Sequence, residues 1–411
     1  MIPSGGSAVI PPHHAAPDIP SLRDMIRGLA GFPTLASLKA SPFWEERGQE
    51  ILGLLRRLQS GSPRHPSPEG GARDRMRIVH WNIERGKNLD AVLHNLKEHP
   101  DLRGADLVLL NEVDVGMARS GNRHTARELA EGLGLHWVFS PSYLELTKGL
   151  REEMQAPGEN RESLHGLAVL SRDEPVRVER VELPEIFDTF DFVEKRFGAR
   201  TALVVHLGAA RGDLVIASTH LEVRDTPTGR RLQLQGLLKD LDAHLEDWGI
   251  AEAPVLLAGD LNTHTFSRGS VVRNARAVGR ILATPLDRLA EELTEPWRGG
   301  REPLFQALRA AGFRYEELND RSPTVSLLLR GVEEAENLPL FLRRWIGRAA
   351  AIGERVLPMR LDWFAARGFP ASPEAHRPAV TRTATVLPHA VHGRIPSDHL
   401  PLLLELRWPG D

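Results

Sequence analysis

Short apolar runs that end in an acid, an amide or a histidine recur along this chain. The most informative is PVLLAGDLNTHT at residues 254–265, where residues 255–257 predict a buried strand that stops at Gly259. Asp260 and Asn262 then leave the end of the strand in a turn. A carboxylate and an amide at this spacing can orient a water molecule and hold a phosphate oxygen, but the same residues also form ordinary turns. This run alone does not distinguish a catalytic turn from an ordinary one, so the other runs of the chain must be considered with it.

Other apolar runs of the chain end in the same way. Helical patterns at residues 89–96, 125–133 and 231–245 alternate with them, which favours an α/β arrangement with the runs as interior strands. Neighbouring strand ends meet at one edge of a sheet, where open α/β architectures bind ligands. The polar residues expected at this edge are Asn82, Glu112 and His220, which follow runs at 76–81, 107–110 and 214–219, together with Asp260 and Asn262 and with Asp398 and His399 before the final run.

Each of these side chains has an ordinary structural explanation when it is taken singly. Asn82 and Asn262 suit turns, His220 suits a hydrogen-bonded position in a core, and Asp398 suits a cap. Together the residues offer hard oxygen ligands that suit Mg²⁺ or Mn²⁺, two imidazoles and a further carboxylate. The set as a whole is therefore more informative than any of its members.

The composition narrows the classes of protein and of site. The 411 residues, 41% of them hydrophobic, allow one large domain with appendages, and 52 basic residues nearly balance 55 acidic ones, so no global positive field indicates a nucleic acid or an anionic membrane. The absence of cysteine excludes disulfides and thiolate ligands, so a metal must use oxygen or imidazole. The first 20 residues make a poor secretory signal, and no apolar run reaches about 18 residues, so we expect a cytoplasmic protein without a membrane-spanning helix.

The chain is predicted to divide into four parts. Residues 1–20 are expected to be disordered, residues 21–60 to form two helices, and the Pro- and Gly-rich residues 61–74 to form a linker before a main domain at 75–411. Within that domain the pattern weakens into a loop over 140–163. An apolar stripe predicts a helical insertion at 331–359, which either packs on the domain or presents its arginines to a polyanion or a lipid surface.

The motifs of the main domain resemble those of the endonuclease/exonuclease/phosphatase superfamily. In chain order they are WNIERG, NEVD, HGLAVLSR, STHLEV, GDLNTHT, RLDWF and SDHLPL, and they cover residues 76–408. The resemblance implies a DNase I-like α/β fold, a four-layer αββα sandwich with two mixed sheets face to face, helices outside and an active site at one end. It also implies metal-dependent attack of water on phosphorus.

The resemblance also implies roles for individual residues. Leu167 stands where many relatives have Asn, so one contact to the scissile phosphate is expected to be absent, and Arg123, Tyr143 and Arg200 are candidates both for substrate contacts and for purely structural roles. The implied catalytic set has Glu112, assisted by Asn82 and Asp398, as ligands of Mg²⁺ or Mn²⁺, Asp260 as the residue that orients or deprotonates water, Asn262 on a phosphate oxygen, Asp362 orienting His399, and His399 and His220 as donors to the transition state.

Three functional hypotheses follow. The first is a monomeric, Mg²⁺-dependent phosphodiesterase with nucleic acid as the leading substrate. The second is a hydrolase of phospholipid or inositol-phosphate head groups, with peripheral contact to a membrane. The third is a catalytically silent binding module, against which the intact Glu112, Asp260 and His399 argue.

Overall fold

A computed structural model describes residues 19–65, 74–209, 212–268, 270–328, 356–372 and 377–408. Short 3₁₀ turns, among them Glu84–Gly86 and Arg151–Gln155, join some of the elements. The helices are α1 (Ile19–Ala30), α2 (Leu35–Lys39), α3 (Pro42–Arg56), α4 (Leu89–Glu98), α5 (Thr125–Leu133), α6 (Pro227–Asp247), α7 (Val271–Ala283), α8 (Leu286–Thr294) and α9 (Leu304–Ala310). The strands are β1 (Gln59–Gly61), β2 (Arg75–Asn82), β3 (Leu107–Val115), β4 (His136–Glu145), β5 (Leu164–Ser171), β6 (Arg177–Glu182), β7 (Arg196–Gly198), β8 (Thr201–Ala209), β9 (Gly212–His220), β10 (Val255–Asp260), β11 (Val325–Leu328), β12 (Val356–Met359), β13 (Asp362–Arg367), β14 (Ala379–Thr385) and β15 (Leu402–Arg407).

Two mixed sheets pack face to face. Sheet 1 has the strand order β1-β4-β5-β3-β2-β15-β14, with β7 paired to β4, and sheet 2 has the order β13-β10-β9-β8-β6. Side chains alternate between the two faces of each strand. Ile78 and Leu109 of sheet 1 therefore share a buried core with Ile216 and Leu256 of sheet 2, whereas Val79 points to the opposite face. Because both faces are buried, the strands read in the sequence as continuous apolar runs.

Helices cover the outer face of each sheet. Met25, Ile51 and Leu129, from α1, α3 and α5, belong to the core cluster on the outer face of sheet 1. Leu237 of α6 and Phe305 of α9 belong to the corresponding cluster on sheet 2. The order of layers is thus helix, sheet, sheet, helix, which confirms the predicted αββα sandwich.

The N-terminal segment differs from the prediction in detail. It contains three helices rather than two, because Ser41 caps a new helix at Pro42 by accepting a hydrogen bond from the backbone N–H of Trp44. Residues 59–61 form β1, which pairs with β4, whereas the prediction ended the helical segment at 60 and began the linker at 61. Helix α1 begins at Ile19, inside the stretch expected to be disordered. Residues 1–18 and 66–73 lie outside the described part of the chain.

Three further regions correct the sequence prediction. Strand β4 occupies residues 136–145, where the loop was expected to begin at 140. Strand β3 continues to Val115 through an irregularity between Leu110 and Val113, so Glu112 lies within a strand and not at its end. Residues 356–359 form β12, paired with β11, and not the last turn of the predicted helical insertion. The remainder of that insertion, 331–355, lies outside the described residues.

No helix in the described ranges is both long enough and apolar enough to cross a membrane.

Candidate active site

Sheet 2 places three polar residues in register at its edge. Strand β10 pairs in parallel with β9 and antiparallel with β13, and these pairings set Asp260 opposite His220 on one side and opposite Asp362 on the other. The glycine before Asp260 is required by this close pairing, because a Cβ at Gly259 would lie 2.0 Å from the carbonyl oxygen of Thr219. Strand pairing therefore brings together residues far apart in sequence.

Sheet 1 contributes the amide and the carboxylate that face this row. Asn82 ends β2, and its Nδ2 donates to Glu112 Oε1 at 3.3 Å and to Asp260 Oδ2 at 3.2 Å. The neighbouring Asn111 accepts a hydrogen bond from the backbone N–H of Asp260 through Oδ1 at 2.8 Å. Glu112 has a positive φ of 54°, which the irregularity in β3 imposes. The two sheets are thus joined directly at the cluster.

His399 and Asp362 form a buried pair. Nδ1 of His399 donates to Asp362 Oδ2 at 2.8 Å, and His80 Nε2 contacts the other carboxylate oxygen at 3.0 Å. The indole N–H of Trp81 fixes the backbone of His399 by donating to its carbonyl oxygen at 2.9 Å. Burial alone would lower the pKa of His399, but the Asp362 carboxylate, with Asp260 and Asp398, holds that pKa well above its ordinary value. These carboxylates therefore favour the cationic form of the imidazole.

Asp260 lies at the centre of the cluster. Its Oδ2 is 3.4 Å from His220 Nε2 and 3.8 Å from His399 Nε2. Burial, followed by the nearby Asp362 carboxylate, raises the pKa of Asp260 to about 7, although His399 opposes the rise. Burial and the charge of Arg200 lower the pKa of His220 well below its ordinary value. A carboxylate with a pKa close to neutral is suited to accept a proton from water.

Glu112 has a cationic neighbour in Arg85. Burial by itself would raise the pKa of Glu112, but Arg85, whose Nε is 3.7 Å from Oε2, is the first of the positive charges that keep it well below the ordinary value. Arg85 is in turn held by Glu153 and by Glu194, whose Oε1 is 2.9 Å from Nη2. Glu112 is therefore ionised.

The residues around Glu112 fit a hard divalent cation. Asn82 Nδ2 lies between two carboxylates, so rotation of the amide by half a turn would present Oδ1 to an ion between them. The side chain of Asp398 reaches solvent, yet the atoms crowded around it and the carboxylates of Glu84 and Glu112 raise its pKa to about 6, as expected where negative charges lack a counter-ion. Glu112, Asn82 and Asp398 thus provide a suitable donor set.

Another group of ligand-type atoms lies within 4.8 Å of one another, on Asp260, Asp362 and His399. A histidine must be neutral to bind a metal, and the high pKa of His399 disfavours that form. Within this group, His399 is therefore better suited to donate a proton than to bind a metal.

A sequence model of the Endonuclease/Exonuclease/phosphatase family matches residues 79–399. The chain belongs to this family.

Comparison with curated proteins finds no match. Among solved structures, a humanized TDP2 of D. rerio is 14% identical and has a TM-score of 0.43 over 82% of this chain and 100% of that chain. The human nocturnin catalytic domain is 14% identical with a TM-score of 0.44 over 86% and 97%. A mannosyl-6-phosphatase from Bacteroides thetaiotaomicron is 11% identical with a TM-score of 0.46 over 81% and 100%.

In this member of the Endonuclease/Exonuclease/phosphatase family, two hydrogen bonds hold Asn262 in place. It has a positive φ of 50°, and its backbone N–H donates to Asp260 Oδ1 at 2.9 Å. Its side-chain Nδ2 donates to the carbonyl oxygen of Leu221 at 2.8 Å. One amide hydrogen is left for a ligand, because an amide nitrogen carries two.

Of the three candidate substrate residues, the structure brings Arg200 and Tyr143 together. Arg200 donates to Glu222 Oε2 at 3.2 Å and lies 5.8 Å from the ring of buried Tyr143. Arg123 is directed elsewhere: its guanidinium pairs with Asp90 at 2.8 Å and with Glu128 at 2.7 Å, on the surface of α4 and α5. The structure thus favours a structural role for Arg123.

Leu167, at the position where many relatives have Asn, is buried within β5. Several other residues of the site were not identified from the sequence. Ser397 accepts from the backbone N–H of His399 and donates to the carbonyl oxygen of Asn82. The sequence does contain features that point to three further site residues. His80 interrupts an apolar run, and Arg85 and Asn111 lie within the motifs WNIERG and NEVD.

Proposed function

We propose that this chain is a Mg²⁺- or Mn²⁺-dependent phosphodiesterase that acts on nucleic acid. One observation carries the proposal: Nε2 of His399, whose ring is oriented by Asp362, lies 3.8 Å from Asp260, and Asp260 is joined through Asn82 to Glu112. This arrangement puts a base, a proton donor and a set of metal ligands around one small volume.

The roles of the side chains follow from their charges. Asp260, with a pKa near 7, accepts a proton from the attacking water. His399 donates through Nε2 to a phosphoryl oxygen or to the leaving group, because its Nδ1 is engaged by Asp362. Neutral His220 offers a second donor. Glu112, Asn82 and Asp398 would hold a divalent cation, which when bound supplies positive charge to the phosphoryl oxygens.

An aromatic and cationic surface beside the cluster favours nucleic acid as the substrate. Phe187 lines a small pocket together with Tyr143, Arg200 and Glu222. Its ring packs against Phe192, and the guanidinium of Arg224 lies 4.3 Å from the Phe192 ring centre. Partly exposed aromatic rings and arginines are the groups on which single-stranded bases stack. The proposal therefore places the bases on this surface.

The test is a hydrolysis screen with and without Mg²⁺. Single-stranded DNA, RNA, plasmid DNA, bis(p-nitrophenyl) phosphate, phospholipids and inositol phosphates are offered to the wild type, to Asp260→Asn and to Arg123→Gln as a matched control on the α4–α5 surface. We expect metal-dependent cleavage of the nucleic acids and of the chromogenic diester, lost in Asp260→Asn and retained in Arg123→Gln.

Two results would contradict this proposal. Hydrolysis restricted to lipids or inositol phosphates would favour the head-group hydrolase. Absence of hydrolysis on every substrate, with Mg²⁺ binding demonstrated by calorimetry, would favour a binding module.

A further inference from the structure

A cleft of about 350 Å³ lies between helix α1 and the segment that joins β4 to β5. Its apolar wall includes Ile26 and Leu146, together with Met154 at the solvent side, which is 51% exposed. Its charged wall includes Arg23. The volume is at the lower end of the range for small-molecule sites, ~300–1,000 Å³. None of the catalytic residues described above lines this cleft.

Two polar groups that line the cleft lack partners among the residues that the structure describes. The hydroxyl of Ser163 is fully buried without a hydrogen-bond partner there, and Nε of Arg23 is likewise buried without one. Ser163 also adopts a positive φ of 59°, a conformation that is uncommon for residues other than glycine. A buried polar group without a partner is destabilising unless a ligand or water satisfies it. Two such groups therefore mark a place for a polar ligand atom.

The charges around the cleft are not balanced. Arg27 has Asp24 at 3.4 Å, and Lys148 has Glu159 at 3.6 Å. For Arg23, in contrast, no carboxylate within 4 Å is found in the part of the chain that the structure describes. Within the described residues this guanidinium thus adds positive charge without a paired carboxylate next to an apolar wall, a combination that favours an anion with an apolar body.

We propose that the cleft binds a small amphipathic anion: an acidic head that takes the donors of Arg23 and Ser163, carried on a short hydrocarbon body that covers Ile26, Leu146 and Met154. An acyl carboxylate and an alkyl phosphate share this chemistry. The site is separate from the catalytic cluster and does not depend on the proposed hydrolysis. It has one structural link to that cluster, because Glu153, in the same turn as Met154, pairs with Arg85.

Binding is tested by calorimetry on the full chain with octanesulfonate, which contains no phosphoester bond. We expect Arg23→Gln to weaken binding by about tenfold or more, since a charge-assisted hydrogen bond is lost, and Ser163→Ala by about three- to tenfold. Arg47→Gln is the matched control, because Arg47 lies on α3 and pairs with Glu50 at 2.7 Å, and it should bind as the wild type does.

The location of the ligand is tested by methyl NMR of the methionines. Octanesulfonate should shift the methyl resonance of Met154, assigned with Met154→Leu, and leave that of buried Met76 unchanged. Octanoate and octyl phosphate distinguish the two possible heads, and preferential binding of either one supports the proposal.

Three outcomes would overturn it. The first is the absence of a Met154 shift at millimolar octanesulfonate. The second is equal affinity of the wild type, Arg23→Gln and Ser163→Ala. The third is binding of inorganic phosphate or of octanol as tight as that of octyl phosphate, because the cleft would then recognise only charge or only hydrocarbon.

Discussion

The backbone at Glu112 is held in a left-handed conformation, with φ at 54°. A residue with a Cβ pays a conformational cost of roughly 1 kcal/mol or more there, and such strain is often found at functional sites. We predict that Glu112→Gly raises the free energy of unfolding by about 1 kcal/mol while it weakens Mg²⁺ binding strongly. Urea unfolding and calorimetry measure the two effects.

Glu112→Gln is the matched control for this prediction. It keeps the strained backbone and removes the charge, so it should weaken Mg²⁺ binding without stabilising the fold. Unchanged Mg²⁺ affinity in both variants would reject Glu112 as a ligand, and equal stability of the two variants would reject the strain.

The pairing of His399 with Asp362 predicts a non-additive loss of activity. His399→Ala should lower kcat by about a hundredfold or more with little change in KM, since the imidazole acts in the transition state. If Asp362 acts by orienting and charging His399, the double variant should be little worse than His399→Ala alone. Kinetics on the chromogenic diester measure this, with exposed His392→Ala as the control. Multiplicative losses would show that Asp362 has an independent role.

At the scale of elements, the site depends on three strands in register. His220, Asp260 and Asp362 stand opposite one another on β9, β10 and β13, so a shift of one strand by one residue would turn its member to the other face. The apolar runs made these strand ends predictable. Strand β4 was not predicted, because its sequence, HWVFSPSYLE, has serines and a proline in a buried strand. Glu112 was wrongly predicted to lie at a strand end, because the irregular continuation of β3 has no apolar pattern.

Helix α5 provides a prediction for pH dependence. Its N-cap, His124, accepts from the backbone N–H of Arg127 through Nδ1 and contacts Gln59 Oε1 through Nε2, so the neutral imidazole is the form that fits. Burial, aided by the charge of Arg127, lowers the pKa of His124 to about 4. A histidine whose pKa is lowered by folding stabilises the protein at pH values above the pKa of about 6.5 that it has in the unfolded chain. This contribution to stability is lost as the pH falls towards 4.

We therefore predict that the wild type loses roughly 3 kcal/mol more than His124→Asn between pH 7 and pH 4. Asparagine can still cap the helix but does not titrate. Chemical unfolding at a series of pH values measures the difference. Parallel stability curves for the two proteins would contradict the assigned pKa.

At the scale of the whole molecule, the N-terminal helices share a core with sheet 1. Met25 of α1 is fully buried in that core, whereas Met154 is 51% exposed. Met25→Ala should therefore destabilise the protein by about 2–5 kcal/mol, and Met154→Ala, the matched control, should have little effect. We expect unfolding followed by circular dichroism and by tryptophan fluorescence to shift together. A separate early transition in Met25→Ala would show that the helices unfold independently.

The sequence predicted the sandwich, and the grouping of most of the candidate site residues, for one physical reason. Strands buried on both faces are apolar throughout, so a polar residue at their ends stands out, as Asp260 and His220 do. Arg123 could not be assigned in this way, because an arginine in a loop gives no sign of the carboxylates that pair with it in space. The same holds for Arg23 and Ser163, because the sequence does not show that their buried atoms lack partners among the described residues.

Strand β2 lies between β3 and β15, and its pairing with β15 joins residues 75–80 of the chain to residues 402–407. On the ribosome β2 emerges long before its second neighbour, and His399 emerges just before that neighbour. A nascent chain that stops short of these residues has an open, apolar sheet edge and lacks the imidazole of the cluster. Until translation has passed residue 407, the polypeptide therefore combines an incomplete candidate site with a strand edge that is prone to aggregate, and a chaperone that covers β2 during synthesis would protect that edge.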